Sequence, residues 1–252
     1  MNKASFSTII VFAVIGWVIW SQFTASPPPA AVDVRNVDTA RLAPNWSAIS
    51  AWPPSGEENT GADANPDPWQ VTTLIILDDS SSMRDQMYAA KQAVVQAVGQ
   101  LDPGSRVGVI ALNQGMVTPV QLASDATRSL ANDLAVVSAN GSTPLGASLS
   151  DATKLLTQEA QNRRGLGVFR ILVTTDGAAT DSDKMNDAVA EILSTTPIEI
   201  ATIGLGIGEG HALNVPGYTS YVSVSSVDQL AGALQEAAAE QTTFNPITKF
   251  EN

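Results

Sequence analysis

The chain has 252 residues, with 25 Asp and Glu against 13 Lys and Arg, a single His and no Cys. A net charge of −12 argues against binding to nucleic acid or to anionic lipid, because both require basic patches. The lack of Cys excludes disulfides, thiolate zinc sites and cysteine nucleophiles, and a single His excludes a histidine-rich metal site. All five Trp and eight of the 14 Pro precede residue 70, so the composition changes near that position.

Residues 4–23 form an uncharged, mostly apolar run of 20 residues. A helix of this length spans ~30 Å, which matches the hydrocarbon core of a bilayer. Trp17 and Trp20 lie near its far end, where indole rings favour the headgroup interface, and Lys3 precedes its near end. We therefore predict an N-terminal transmembrane anchor at residues 1–23, with the N-terminus in the cytoplasm and the remaining chain outside the cytoplasmic (inner) membrane, periplasmic or extracellular. The alternative is a cleaved signal peptide, whose apolar region is usually shorter.

Residues 24–68 show neither helical nor strand periodicity and contain the proline runs 27–29 and 53–54. This composition predicts a Pro-rich extended tether. Trp46 and Trp52 are unusual in such a segment, because a solvated linker has no use for large indole rings. Two interpretations stay open: the rings pack on the outside of the following domain, or they contact a partner near the membrane.

From residue 69 onward, apolar β-branched runs alternate with stretches of helical spacing. Strands are predicted at 71–77, 106–112, 116–122, 168–174, 198–205 and 221–224. Helices are predicted at 83–101, 124–137, 145–161, 181–195 and 226–240. Pro119 interrupts the third strand, which favours an edge position. This alternation indicates right-handed βαβ units, so residues 69–242 are predicted to form an α/β domain with a doubly wound, mostly parallel sheet and helices on both faces. Residues 243–252 are a C-terminal tail.

Five polar side chains stand where a ligand site of such a sheet is expected. They follow the first strand, open the helix at 145 and follow the strand at 168–174: Asp78, Ser80, Ser82, Thr143 and Asp176. Ligands of doubly wound sheets bind outside the carboxyl ends of the strands, so these side chains are expected to face one point. Each of them alone could instead cap a helix. Together they offer only hard oxygen donors, which suit Mg²⁺, or Mn²⁺ or Ca²⁺, and not zinc.

These residues and the blocks LDDSSSM, GSTPLGASL and LVTTDG resemble the von Willebrand factor A (VWA) domain family and its metal-ion-dependent adhesion site (MIDAS). The family pattern is Asp-x-Ser-x-Ser after the first strand, a Thr in a later loop and Asp-Gly after the fourth strand. Ser81 stands where Gly is common in the family. The resemblance covers roughly residues 69–242. It implies that the Ser and Thr hydroxyls contact the metal directly, and that a Glu or Asp carboxylate from a partner protein completes the metal shell.

Signatures of catalysis and nucleotide binding are weak. The glycine-rich stretch at 204–210 matches neither a dinucleotide-binding turn nor a P-loop, and no G-x-S-x-G occurs. His211 is expected to be a surface residue. A solvated acidic rim is expected from Asp79, Asp85, Asp181 and Asp183.

The sequence therefore predicts a membrane-anchored VWA domain protein that is not an enzyme and does not bind nucleic acid. Its expected role is metal-dependent protein–protein binding or complex assembly outside the membrane. One alternative is a structural subunit of a membrane complex, held by its anchor and tether. A less favoured alternative is a metal-dependent hydrolase, since Mg²⁺ with open positions can activate water.

Overall fold

The computed structural model describes residues 38–55 and 65–239. The predicted anchor at 4–23 and the C-terminal tail at 243–252 lie outside these ranges. Among the residues described, no helix combines the length and the apolar character needed to cross a membrane.

A six-stranded sheet forms the centre of the described chain. The strands are β1 (Val71–Leu77), β2 (Arg106–Ala111), β3 (Gly115–Leu122), β4 (Val168–Thr175), β5 (Glu199–Leu205) and β6 (Ser220–Val224). The helices are α1 (Trp46–Ser50), α2 (Met87–Val98), α3 (Ala123–Ala135), α4 (Leu145–Asn162), α5 (Ser182–Thr195) and α6 (Leu230–Ala239). Short 3₁₀ turns cover Thr39–Leu42, Ser81–Asp85 and Val227–Gln229. The predicted mixed, mostly parallel α/β sheet is confirmed.

The strand order is β3-β2-β1-β4-β5-β6, and only the β2–β3 pair is antiparallel. From the central β1 the chain first builds the sheet outward to β2 and β3, then returns to add β4 on the other side. The order therefore reverses between β1 and β4. The loops that follow these two strands emerge side by side at the carboxyl edge, which is the usual ligand position of such a sheet.

Alternating residues of β1 supply two cores, one on each face of the sheet. Leu74 and Ile76 pack with α4 and α5, whereas Ile75 and Leu77 pack with α2, α3 and α6. All four side chains are at most 2% exposed. This arrangement explains why β1 is an unbroken apolar run, because a strand covered by helices on both faces has no side that faces solvent.

Residues 38–55, which we call the strap, fall within the predicted extended tether but fold onto the domain. The backbone N–H of Asn45 donates to the carbonyl of Ser194 in α5 at 2.7 Å, and Leu42 is fully buried among the residues of α4 and α5. The strap contains only one 3₁₀ turn and a helix of five residues. Such short elements do not repeat long enough for an apolar period to show in the sequence.

The two unexplained Trp of the strap have different environments. The Trp52 ring lies edge-on to Phe169 of β4, with ring centroids 5.1 Å apart, whereas Trp46 is 73% exposed. The packing interpretation therefore describes Trp52, and contact with a partner stays open for Trp46.

Replacing Trp52 with Ala is expected to lower the free energy of unfolding by about 2–3 kcal/mol, because the indole that covers Phe169 is lost. Trp46→Ala is the matched control and is expected to change it by less than about 0.5 kcal/mol. Urea unfolding of the full chain measures both values. Equal effects of the two substitutions would contradict this account of the strap.

Candidate metal site

Asp78 organises the loop that follows β1. The residue is fully buried, and its Oδ1 accepts a hydrogen bond from the backbone N–H of Ser80 at 2.9 Å. Its Oδ2 accepts a hydrogen bond from the hydroxyl of Thr175, the last residue of β4, at 2.7 Å. The first bond closes a local turn and the second ties β1 to β4. The orientation of this carboxylate is therefore fixed from both sides.

A chain of hydrogen bonds links the loop after β1 to the loop after β4. The hydroxyls of Ser80 and Ser82 lie 3.0 Å apart, and the Ser82 hydroxyl donates to Oδ1 of Asp176 at 2.8 Å. Because Ser82 uses its proton for Asp176, Ser80 is the donor in the first of these bonds. The structure thus brings four of the five predicted ligands together at the carboxyl edge of the sheet.

The fifth predicted ligand, Thr143, lies in a loop held between the other two. The Ser81 N–H and hydroxyl both donate to the Gly141 carbonyl, at 3.1 and 3.0 Å. The Thr143 carbonyl in turn accepts from the N–H of Thr180, at 2.9 Å, in the segment between β4 and α5. Thr143 itself is 7% exposed. All three predicted loops therefore meet at one edge.

Gly141 explains how closely this loop approaches its neighbour. Its φ is +89°, and a Cβ built on it would lie 2.6 Å from Oδ1 of Asn113. Both the left-handed backbone and the lack of space require glycine. The side chain of Asn113 also donates to the carbonyl of Ser142 at 2.8 Å, which fixes the loop next to the end of β2.

Asp79 corrects the expectation of a solvated rim, because it is fully buried. Its Oδ1 accepts from the N–H and the side-chain amide of Asn113, at 2.8 and 2.9 Å, and its Oδ2 accepts from the amide of Gln114 at 2.9 Å. Its carbonyl accepts from the N–H of Asn140 at 2.7 Å. Asp79 therefore holds the loop after β1 against Asn113, Gln114 and Asn140, and we say that it braces the site. Asn113-Gln114, in the turn between β2 and β3, is the sequence signal that could have identified this role.

Asp181 departs from the expected rim as well. Its two carboxylate oxygens accept from the backbone N–H groups of Gly146 and Ala147, at 3.0 and 2.9 Å, at the start of α4. A Cβ on Gly146 would lie 2.3 Å from the backbone nitrogen of Met185, so only glycine permits this approach of α4 and α5. The other two residues of the expected rim, Asp85 and Asp183, are exposed.

His211 is also not the surface residue that was expected, since it is 8% exposed. Its Nε2 lies 3.1 Å from the carbonyl of Gly177, beside Asp176, and its Nδ1 accepts from the N–H of Leu213 at 3.2 Å. Burial lowers the pKa of His211, and the Gly177 contact and the charge of Asp78 only partly oppose this shift. The Gly177 contact spans 34 positions, so no local pattern could have indicated it.

The electrostatics of the site centre on Asp176. Burial raises the pKa of this carboxyl, and the nearby charge of Asp78 raises it further, while the hydrogen bond from Ser82 lowers it. The ionised form of Asp176 is therefore less favoured in the metal-free protein than in a free carboxyl group. A bound cation would favour that form, because opposite charge lowers the pKa of a carboxyl group.

The donor set fits a small, hard cation by its chemistry. Within residues 38–55 and 65–239, no three His, Cys, Asp or Glu side chains group in a way that could hold a metal ion. The predicted site is of a different kind, because it combines two carboxylates with three hydroxyls. Oxygen donors of this type suit Mg²⁺, Mn²⁺ or Ca²⁺, and the identity of the ion stays a prediction.

The sheet topology and the edge loops define a doubly wound α/β domain with a Ser, Thr and Asp cluster at its switch point. The family model of the von Willebrand factor type A domain matches residues 74–237, and the chain belongs to this family. A search of curated protein sequences gives no significant match.

Solved structures of low sequence identity share the fold. A von Willebrand factor type A protein from Catenulispora acidiphila aligns with a TM-score of 0.57 at 21% identity, over 68% of this chain and 42% of that one. The vWF domain of the type V pili tip protein Mfa5 from Porphyromonas gingivalis aligns with a TM-score of 0.54 at 13% identity, over 74% and 100%. The manganese-loaded TRAP protein of Plasmodium vivax gives 0.51 at 13% identity, over 68% and 74%. This chain therefore spans less than half of the first of these proteins.

Proposed function

We propose that this domain binds a protein partner through a divalent cation, with Mg²⁺ as the first candidate. The cation would be held by Asp78, Ser80, Ser82, Thr143 and Asp176. A Glu or Asp side chain of the partner completes its shell. The observation that carries this proposal is the hydrogen-bonded chain from Ser80 through Ser82 to Asp176 at the carboxyl edge of the sheet.

The chemistry of the donors supports a docking role. Hydroxyl oxygens are neutral donors, so they leave more of the cation's charge available to an incoming carboxylate than a shell of acids does. A carboxylate is a strong ligand in such a partly desolvated position. Asp78 is already oriented by Ser80 and Thr175, so little rearrangement of the loop is needed.

The relatives by fold support binding rather than catalysis. Besides the pili tip protein, they include a pilus adhesin from Lactobacillus rhamnosus GG, which aligns with a TM-score of 0.52. The TRAP protein among them is loaded with manganese. We carry over to this chain only the class of function, a protein-binding domain with a metal site.

The proposal includes a place for the domain at a membrane. Residues 4–23 serve as a single-pass anchor with the N-terminus inside, which places the domain outside the cytoplasmic membrane. The uncharged run and its two terminal Trp support this placement. Cell fractionation followed by protease treatment of intact spheroplasts tests it, because a domain on the outer face is digested without lysis.

A structural subunit of a membrane complex is the second candidate function. The specific observation in its favour is the exposure of two indole rings, 73% for Trp46 and 82% for Trp69. Exposed Trp is frequent in the centres of protein interfaces. If Trp46→Ala and Trp69→Ala release the partner while chelation does not, this second function is the correct one.

Replacing Thr143 with Val is expected to weaken Mn²⁺ binding at least ~10-fold, because a nearly isosteric side chain without the hydroxyl removes one donor. Capture of the partner should fall in parallel, and EDTA should release it from the wild-type chain. The measurements are Mn²⁺ titration by electron paramagnetic resonance and co-purification in mild detergent, both with the full chain.

Ser81→Ala is the matched control for this experiment. The Ser81 hydroxyl lies between two predicted ligands in sequence but donates to the Gly141 carbonyl instead of joining the Ser80–Ser82–Asp176 chain. Its loss should leave Mn²⁺ affinity within about twofold of the wild type, because the Ser81 N–H still donates to the same Gly141 carbonyl and holds the Thr143 loop. Normal Mn²⁺ and partner binding by Thr143→Val would refute the proposed function.

A further inference from the structure

His211 connects a further loop to the site, namely the segment between β5 and β6. The N–H of Leu213 donates to its Nδ1 at 3.2 Å, so that nitrogen carries no proton. The proton of the neutral ring therefore sits on Nε2, which donates to the carbonyl of Gly177 at 3.1 Å. The two hydrogen bonds together assign both the tautomer and the direction of the ring.

The peptide groups of Gly177 are held on both sides. Its N–H donates to the hydroxyl oxygen of Thr175 at 3.3 Å, and that hydroxyl donates to Asp78. Its carbonyl accepts from His211. Asp176 directly precedes Gly177 in the chain. Its backbone is therefore linked to Asp78 through Thr175, and to the β5–β6 segment through His211.

Tyr221 of β6 keeps the imidazole in place. Its ring stacks on His211 with centroids 6.1 Å apart and an angle of 16° between the planes. Its hydroxyl donates to the carbonyl of Gly208 at 3.0 Å. Burial, with the charge of Glu209, raises the pKa of Tyr221 to about 12, so this donor keeps its proton at neutral pH.

We infer that His211 is a positioning residue for the cation site, which holds the Asp176–Gly177 segment through the Gly177 carbonyl. This inference rests on the proposed function. Partners that orient a ligand from outside the metal shell commonly change metal affinity by about 10- to 100-fold when they are removed.

Two substitutions separate the bond to Gly177 from the bond to Leu213. The side-chain nitrogen of Gln follows the same number of bonds from Cβ as Nε2, so His211→Gln keeps a donor for Gly177. The side-chain oxygen of Asn corresponds to Nδ1, so His211→Asn keeps an acceptor for the N–H of Leu213, as in an ordinary Asx turn. Each variant therefore retains one of the two hydrogen bonds.

The probe is Mn²⁺, titrated by electron paramagnetic resonance against the full chain in detergent. We expect His211→Gln to bind Mn²⁺ within about threefold of the wild type and His211→Asn to bind at least ~10-fold more weakly. Hydrogen exchange over residues 175–180 is the readout that needs no metal. There we expect exchange at least ~10-fold faster in His211→Asn than in His211→Gln.

The outcomes distinguish this inference from the function on which it rests. The positioning role of His211 is overturned if His211→Gln and His211→Asn have equal Mn²⁺ affinity and equal hydrogen exchange. It is also overturned if the loss of Mn²⁺ affinity in the two variants is proportional to their loss of Tm. If the wild-type chain binds no Mn²⁺, the proposed function fails. In that outcome the exchange over residues 175–180 alone supports or overturns the role of His211.

Discussion

Asp176→Asn is expected to abolish binding of Mn²⁺ or Mg²⁺ and at the same time to stabilise the metal-free protein. The first effect follows from the loss of one of only two carboxylates in the predicted donor set. The second follows from burial and from the charge of Asp78, which together raise the pKa of this group. An uncharged amide has neither the desolvation cost of a buried charge nor the repulsion from Asp78, and its oxygen can still accept the hydrogen bond from Ser82.

The sign of the pH dependence follows from the same shift. The folded protein holds the proton of Asp176 more tightly than the unfolded chain, whose carboxyl has the ordinary pKa of 3.8. The stability of the metal-free protein therefore declines as the pH rises from 3.8 through the folded-state pKa. Asp176→Asn removes this decline, and we expect a gain of about 0.5–1 kcal/mol at pH 7, modest because the group is partly exposed.

Asp183→Asn is the charge-matched control for this substitution. Asp183 is exposed in the first turn of α5 and also carries one negative charge. A carboxylate near a helix N-terminus is favourable, so its replacement should cost about 0.3–0.5 kcal/mol and leave Mn²⁺ affinity unchanged. Urea unfolding in EDTA and Mn²⁺ titration measure both variants. A destabilised Asp176→Asn protein, or one that binds Mn²⁺ normally, contradicts our account of the site.

The fold was predictable because its elements are long and strictly patterned. The run at β1 is predicted and observed at 71–77, since a strand buried on both faces has a sequence unlike any exposed segment. Pro119 correctly indicated the edge strand. The five candidate ligands could be predicted for a similar reason. The carboxyl ends of parallel strands meet at one edge of the sheet, and the order of the strands determines which loops are neighbours there.

The parts that could not be predicted depend on contacts between distant positions. The role of Asp79 could be predicted only if the pairing of β1 with β2 were known, because this pairing brings Asn113 and Gln114 within hydrogen-bond distance of Asp79. The Gly177–His211 contact and the folded strap likewise join segments far apart in sequence. Neighbouring acidic residues look alike in a sequence, and their different functions arise from which donors surround them in space.

Asp79→Ala is expected to lower the free energy of unfolding by about 3 kcal/mol or more, although Asp79 is not one of the predicted ligands. The substitution removes three charge-assisted hydrogen bonds to the buried carboxylate, from the N–H and side-chain amide of Asn113 and from the side-chain amide of Gln114. A hydrogen bond to a charged group contributes about 1.5–3 kcal/mol, and we take the lower part of the summed range because Asn113 and Gln114 are exposed and water can replace the lost acceptor. Urea unfolding of the full chain in EDTA measures the change without any contribution from bound metal.

Asp85→Ala is the control from the same loop, and because Asp85 is exposed we expect a change below about 0.5 kcal/mol. Similar unfolding midpoints for the two variants would show that Asp79 does not brace the site. Together with Asp176→Asn, this comparison separates two kinds of acidic residue at one edge. A carboxylate surrounded by amide donors stabilises the fold by accepting their hydrogen bonds. A carboxylate placed beside another carboxylate destabilises the fold until a cation is bound, and only the second kind is suited to a metal-dependent contact.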